Sequence, residues 1–228
     1  MNDLIFDTSA IISIATNNLL DVLEQLKKKF KGDFLISDAV KMEILDNPIK
    51  SRKYKLEAIM ISNLIQNNIF KIYRNINIEN KTMNLLNLCN NIFLAGNKPI
   101  KILDKAEVEA LVLTQLLQGV YIVDERNIRL MVEDYRKLAI LLERKLDTKI
   151  TINNQNIRLF KSEIKDITIV RSAELMTIAF EKGLFNEYEN KYSNKREILD
   201  GILWGLRLRG RAISTEEIEE VIKIEKVK

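Results

Sequence analysis

The stretch Asp3-Leu4-Ile5-Phe6-Asp7-Thr8-Ser9-Ala10 reads as a short buried strand that ends on an acid and runs straight into a helix. Three large apolar residues in a row suit a strand covered on both faces. Thr8 and Ser9 then offer N-cap hydroxyls to a helical turn over Ala10–Ile14. The same grammar recurs downstream. Phe34-Leu-Ile-Ser37 is a second buried run, after which Asp38 is placed to cap a short helix that Asn47-Pro48 ends. Val120-Tyr-Ile-Val-Asp124 is a third, and it too ends on an acid. Helical periodicity occupies 19–30, 50–67, 79–95, 105–117 and 125–145, while 69–73 alternates like a strand. Strands alternating with helices predict an α/β fold with a parallel, doubly wound sheet, in which 2–6, 34–37 and 120–123 are neighbours.

Beyond residue 145 the pattern changes. Lys149–Asn153 and Ile157–Phe160, separated by Asn154-Gln-Asn156, read as a β-hairpin, and 167–170 as a further strand. Helical period returns over 171–183 and from 195 to about 210, and Ser214-Thr-Glu-Glu217 is a capping box opening a last helix. The expected organisation is an α/β core over 1–145, a hairpin insertion over 146–170 and a C-terminal helical extension over 171–228.

Composition narrows the chemistry. There is no histidine among 228 residues and one cysteine, Cys89. That removes Ser-His-Asp and Cys-His catalysis, histidine-ligated zinc, the zinc ribbon and an internal disulfide framework. Nothing approaches the roughly 18 consecutive apolar residues of a membrane span. The acidic start lacks the basic region of a signal peptide, so the expectation is a cytoplasmic protein with no membrane partner. Net charge is +4, yet residues 25–75 carry eleven bases against five acids. Lys50, Arg52 and Lys53 in that region are candidates for a phosphate backbone, against the plain reading of a solvated helix face.

In an open parallel sheet, ligands bind beyond the carboxyl ends of the strands. Asp7 and Asp124 end strands at that edge, Glu43 follows the strand at Phe34–Ser37, and Glu107 and Glu109 open the helix before the Asp124 strand. Singly, each acid has a structural reading: an Asx turn at Asp7, a solvated helix residue at Glu43, macrodipole partners at Glu107 and Glu109, a cap at Asp124 and at Asp104. Together they repel, by about 4 kcal/mol for a pair about 4 Å apart at an effective dielectric near 20. Hard divalent ions such as Mg²⁺ or Mn²⁺ turn that repulsion into attraction, and a pair of them is a standard clamp for phosphodiester cleavage.

These residues resemble the PIN-domain family of Mg²⁺/Mn²⁺-dependent ribonucleases, in a toxin-like prokaryotic branch. The likeness lies in Leu4-Ile-Phe-Asp7-Thr-Ser-Ala, Ile36-Ser-Asp-Ala-Val-Lys-Met-Glu43-Ile, Ala106-Glu107-Val-Glu109-Ala-Leu and Tyr121-Ile-Val-Asp124-Glu125-Arg126, with Arg129 one turn on. Arg171-Ser-Ala-Glu-Leu through Gly183-Leu is similar to a late-helix motif of that branch. The resemblance implies a Rossmann-like parallel sheet flanked by helices. It also implies an endoribonuclease that prefers single-stranded RNA, holding one or two Mg²⁺ or Mn²⁺ ions on Asp7, Glu43, Glu107 and Asp124, with Glu109 replacing or joining Glu107. Thr8 or Ser9 would orient a ligand or bind phosphate, and Arg126 and Arg129 would contact RNA. A homodimer and an antitoxin-like protein partner are further expectations, and tRNA or rRNA processing is as compatible as a toxin role. From another class, the chain reads as a catalytically silent RNA-binding or regulatory module. A haloacid-dehalogenase-type phosphatase is disfavoured, since that chemistry wants an acid at position 9, which is Ser9.

Overall fold

The structure, a computed structural model, describes residues 2–74, 76–210 and 212–225. In chain order, strand β1 (Leu4–Phe6) leads into helices α1 (Thr8–Thr16) and α2 (Leu20–Lys29), then β2 (Phe34–Ser37) and α3 (Asp38–Lys41). A π-helical turn over Met42–Asp46 carries α3 into α4 (Asn47–Lys50). Next come α5 (Lys55–Gln66), β3 (Phe70–Tyr73), α6 (Ile76–Cys89), β4 (Phe93–Ala95), β5 (Lys98–Pro99), α7 (Lys105–Leu117) and β6 (Val120–Ile122). They are followed by α8 (Arg126–Glu133), α9 (Tyr135–Leu146), β7 (Ile150–Ile152), α10 (Asn154–Glu163) and β8 (Thr168–Val170). The chain ends in α11 (Ser172–Glu181), α12 (Lys195–Gly210) and α13 (Thr215–Ile224).

The main sheet has five strands in the order β3-β2-β1-β6-β8, and every pairing in it is parallel. Leu4 stands opposite Phe34 on one side and Val120 on the other, so the three apolar runs are adjacent as the sequence predicts. Apart from the half-buried Val120, their residues are buried because helices cover the sheet, which is why the strands read as continuous apolar runs rather than alternating ones. Phe6, Phe34 and Phe70 meet across three neighbouring strands. The Phe6 ring centroid lies 5.1 Å from each of the other two, tilted or edge-on as aromatic quadrupoles favour. Gly119 lets α7 return tightly to β6: a Cβ there would stand 2.7 Å from the Asp3 carbonyl oxygen and collide with Ile5.

Several sequence expectations are corrected. The segment 149–160 is not a hairpin. Only Ile150–Ile152 is extended, and it pairs antiparallel with Phe93–Ala95 in a separate three-stranded sheet of order β5-β4-β7. The Asn154-Gln-Asn156 stretch, read as its turn, is the first turn of α10, capped by the Asn153 side chain accepting from the Gln155 and Asn156 amides. The main sheet also runs past residue 145, since β8 is its edge strand, so 146–170 is not an insertion set apart from the core. The 79–95 helix stops at Cys89, where Asn90 and Asn91 turn the chain into β4. The 125–145 helix is two helices. They break at Asp134, whose carboxylate caps α9 through the Lys137 amide. The short helix at 38–47 is capped by Ser37 rather than Asp38 and runs on through Pro48 to Lys50, because proline is tolerated in a first helical turn.

Candidate functional site

Asp7, Glu43, Asp104 and Glu107 gather beyond the carboxyl ends of the central strands, and each arrives by a different local device. Asp7 follows β1 and is the N-cap of α1; it is 2% exposed. One of its oxygens, Oδ2, accepts from both the backbone amide and the hydroxyl of Ser9. The other, Oδ1, is buried with no hydrogen-bond partner. Glu43 sits on the π-helical turn, a distortion frequent at functional sites. It is held by the Thr8 hydroxyl, which donates to its Oε2 at 2.7 Å. Asp104 and Glu107 cap α7 reciprocally: the Glu107 amide donates to Asp104, and the Asp104 amide to Glu107 Oε2 at 2.8 Å.

Burial makes Asp7, Glu43 and Glu107 hard to ionise. Asp7 is pushed up from 3.8 to about 7, chiefly by burial and then by the charges of Asp104 and Glu43, with the Ser9 hydrogen bonds opposing. Glu107 rises to about 9, from burial first, then from Asp104, with Asp7 and Glu125 adding to it. Glu43 is raised by burial and by Asp104, against the Thr8 hydrogen bond. Asp104 recurs as the neighbour that disfavours charge on all three. From sequence it ranks as a weaker candidate than the other acids, with a cap as its main role. Its capping-box spacing to Glu107 was the signal that the two carboxylates come to the same place.

Asp124 and Glu109 reach the same end of the sheet with both oxygens of the first, and one of the second, engaged elsewhere. Asp124 Oδ1 accepts from the Ser172 amide at 2.8 Å, and Oδ2 from the Ser172 hydroxyl at 2.6 Å. Burial raises its pKa, and hydrogen bonds from Ser13 and Ser172 pull the other way. Glu109 Oε1 accepts from the Ala39 amide at the start of α3. Ser9 joins the two halves. Besides donating to Asp7, its hydroxyl accepts from the amides of Asp124 and Glu125, both at 3.0 Å. Its bonding capacity is thereby filled, so it orients Asp7 and has none left for a phosphate.

The cationic candidates fall in two places. Lys50, Arg52 and Lys53 are exposed in and just after α4, beyond the turn that carries Glu43. Arg126 and Arg129 lie on α8, one turn apart, immediately after Asp124 and Glu125. Arg171, Ser172 and the residues that hold Arg171 have no role legible in the sequence beyond the likeness of Arg171-Ser-Ala-Glu to a late-helix motif. Arg171 binds Glu174 at 2.6 Å and Glu217 at 2.8 Å, which ties α13 to the start of α11.

The donor set suits a hard divalent ion, because every available group is a carboxylate or hydroxyl oxygen. The orphaned Asp7 Oδ1 is the atom such an ion would satisfy. Among the described residues no three acids converge into a finished ligand set. The Thr8–Glu43 bond and the α7 capping box hold two of the arms, so both side chains would have to turn to close on one ion. Comparisons of the chain with protein-family models, curated proteins and solved structures find no match. Among the described residues no helix is long and apolar enough to cross a membrane.

Proposed function

We propose that this chain is a Mg²⁺- or Mn²⁺-dependent endoribonuclease of the PIN-domain type. The observation that carries the reading is the buried, partnerless oxygen of Asp7, an acid set among others whose charges raise its pKa, at the ligand-binding end of a parallel sheet. A group in that state is costly unless something positive completes it. Asp7, Glu43 and Glu107 would hold the ion or ions, with Asp104 beside them, and Asp124 and Glu109 would act as supports. A bound divalent ion supplies an acidified water and neutralises charge on the phosphodiester. The chain does the rest. Ser9 fixes the direction of the Asp7 lone pairs, and Thr8 steers Glu43. Burial and the Asp104 charge raise the Glu107 carboxyl to about 9, which favours its protonated form at neutral pH, and a bound cation would favour its ionised form. No histidine is required by this scheme, which agrees with a sequence that has none.

A second reading, a catalytically silent RNA-binding module, draws on the lack of a convergent three-acid set. One experiment separates the two. A labelled single-stranded RNA is incubated with wild type, Asp7→Asn and Glu43→Gln in Mn²⁺, Mg²⁺ and EDTA. Divalent-dependent cleavage that both substitutions abolish, with RNA binding kept, establishes the nuclease. Binding without cleavage in either metal establishes the silent module.

A further inference from the structure

A cleft of about 1330 Å³ opens at Asp124 and Glu125 and runs between the α8–α9 pair on one side and the end of α12 with the start of α13 on the other. Its two walls differ. On the α12–α13 side the cations are already engaged. Arg171 is held by Glu174 and Glu217, while Arg207 donates to the Ile213 carbonyl and lies over the Trp204 ring. On the α8–α9 side Arg126, Arg129, Lys137, Arg144 and Lys145 line the cleft, and among the described residues none of them is ion-paired. Arg126 and Arg129 are one turn apart on α8, and Lys137 and Arg144 two turns apart on α9, so each pair shares a helix face. Arg129 carries a second sign: its Nε is buried without a hydrogen-bond partner, and its charge lies close enough to Asp124 to favour that carboxylate's ionised form.

We propose that the α8–α9 wall of this cleft is the track for single-stranded RNA leading to or from the acid cluster, with Arg129 holding a phosphate at the junction. The direction of the track rests on the ribonuclease reading; the binding itself does not. The chemistry of the cleft favours a nucleic-acid backbone over an acidic protein segment. Of its apolar lining, Leu130, Leu138, Leu142 and Ile213 are already 93% or more buried, while Leu208 on the α12 side stands exposed, a single apolar side chain against the five cations of the α8–α9 wall. Besides Leu208 and the Glu133 carboxylate, what remains accessible is mainly positive charge on long, flexible stems that follow a polyanion without reading its sequence. Among the described residues no aromatic side chain lines the cleft, so the bases find no stacking platform and affinity should be steeply salt-dependent.

The test is fluorescence anisotropy of a labelled 20-nucleotide polyuridine in EDTA across a salt series, so that cleavage does not enter. It compares wild type with Lys137→Ala/Arg144→Ala/Lys145→Ala, with Arg129→Gln, and with Lys50→Ala/Arg52→Ala/Lys53→Ala. The three exposed α9 positions are substituted without touching the core, and thermal melting checks that each variant is folded. The cleft triple variant is expected to lose about tenfold or more in affinity at 0.1 M salt. Its slope of log K against log salt should flatten by about 2, at about 0.7 per phosphate contact on a single strand. Arg129→Gln should flatten the slope by about 0.7, and the Lys50–Lys53 variant should change both readouts less than the cleft triple does. An unchanged slope in the cleft triple, a larger loss in the Lys50–Lys53 variant, or no binding by wild type overturns the proposal. So does a 20-residue polyglutamate that binds wild type more tightly than the RNA. Metal-dependent cleavage with binding that ignores the cleft leaves the nuclease reading standing and removes the track. Binding that follows the cleft without cleavage in any divalent ion does the reverse.

Discussion

Asp7 and Asp124 end adjacent strands of one sheet, both are nearly inaccessible, and both are harder to ionise than a free aspartate. They nevertheless stand in opposite chemical positions. Both oxygens of Asp124 accept hydrogen bonds from Ser172, while Asp7 has one oxygen satisfied by Ser9 and one buried without a partner. Identical side chains at matching places in a fold are thus divided into a support and a candidate ligand by the second half of their hydrogen-bonding capacity. Accessibility and pKa direction alone would not have separated them.

The sharpest way to break that contrast is to make the same change at both positions. Asp7→Asn should reduce metal-dependent RNA cleavage by about a thousandfold, the loss of several kcal/mol of charge stabilisation at about 1.4 kcal/mol per decade. In EDTA the same variant should melt higher than wild type, because a neutral amide removes a buried charge and keeps an oxygen for the Ser9 donors. Asp124→Asn should do the opposite to stability. Its amide nitrogen would face one of two Ser172 donors, costing about 2 kcal/mol. Urea unfolding of both variants reads the signs directly. If both shift stability the same way in EDTA, the division between ligand and support is wrong.

The pH dependence of metal-free stability sharpens the comparison at a smaller scale. The folded pKa values of Asp7 and Glu107, about 7 and about 9, lie above the ordinary 3.8 and 4.5, so the folded state holds protons that the unfolded chain has released. Stability from these groups is fully present below about pH 4 and is lost as pH rises through 7 and then 9. Melting in EDTA between pH 4 and pH 9 should therefore show wild type falling behind Asp7→Asn as pH rises, with saturating Mn²⁺ closing the gap. A gap that does not change with pH would contradict the burial argument. The smallest effect is expected at Glu109→Gln. Its Oε1 can still accept from the Ala39 amide, so only the charge at a helix start is lost, about 0.5 kcal/mol, with cleavage essentially retained.

Much of the scaffold was legible from residues 4–6, 34–37 and 120–123, because strands buried on both faces must be uninterrupted apolar runs and each is followed by helix-starting residues. The position of Asp7, Glu43 and Glu107 followed from that, since the end of the sheet at which they gather is set by strand direction. What failed was local or long-range. Ile157 and Phe160 sit three apart on α10, but four residues are too few to tell that period from strand alternation. Asn154-Gln-Asn156 serves equally as turn or helix start. The pairing of Phe93–Ala95 with Ile150–Ile152 joins segments more than fifty residues apart and leaves no local trace. The engagement of Asp124 by Ser172 and of Glu109 by Ala39 is likewise tertiary, so the acids could be counted from sequence but not sorted.

Ser9 makes this edge of the sheet hard to transplant. The ladder between β1 and β6 ends at the Asp7 amide bonded to the Ile122 carbonyl, and at Val123 the chain bonds to Val170 instead. Past that point the one hydroxyl of Ser9 serves as the next rung, gripping the Asp124 and Glu125 amides while it aims Asp7. A graft that moved Asp7 alone onto another parallel sheet would deliver the charge without its bearing. Inheritance and design alike must pass on Asp7 and Ser9 as a single unit, together with a neighbouring strand that ends at the right height.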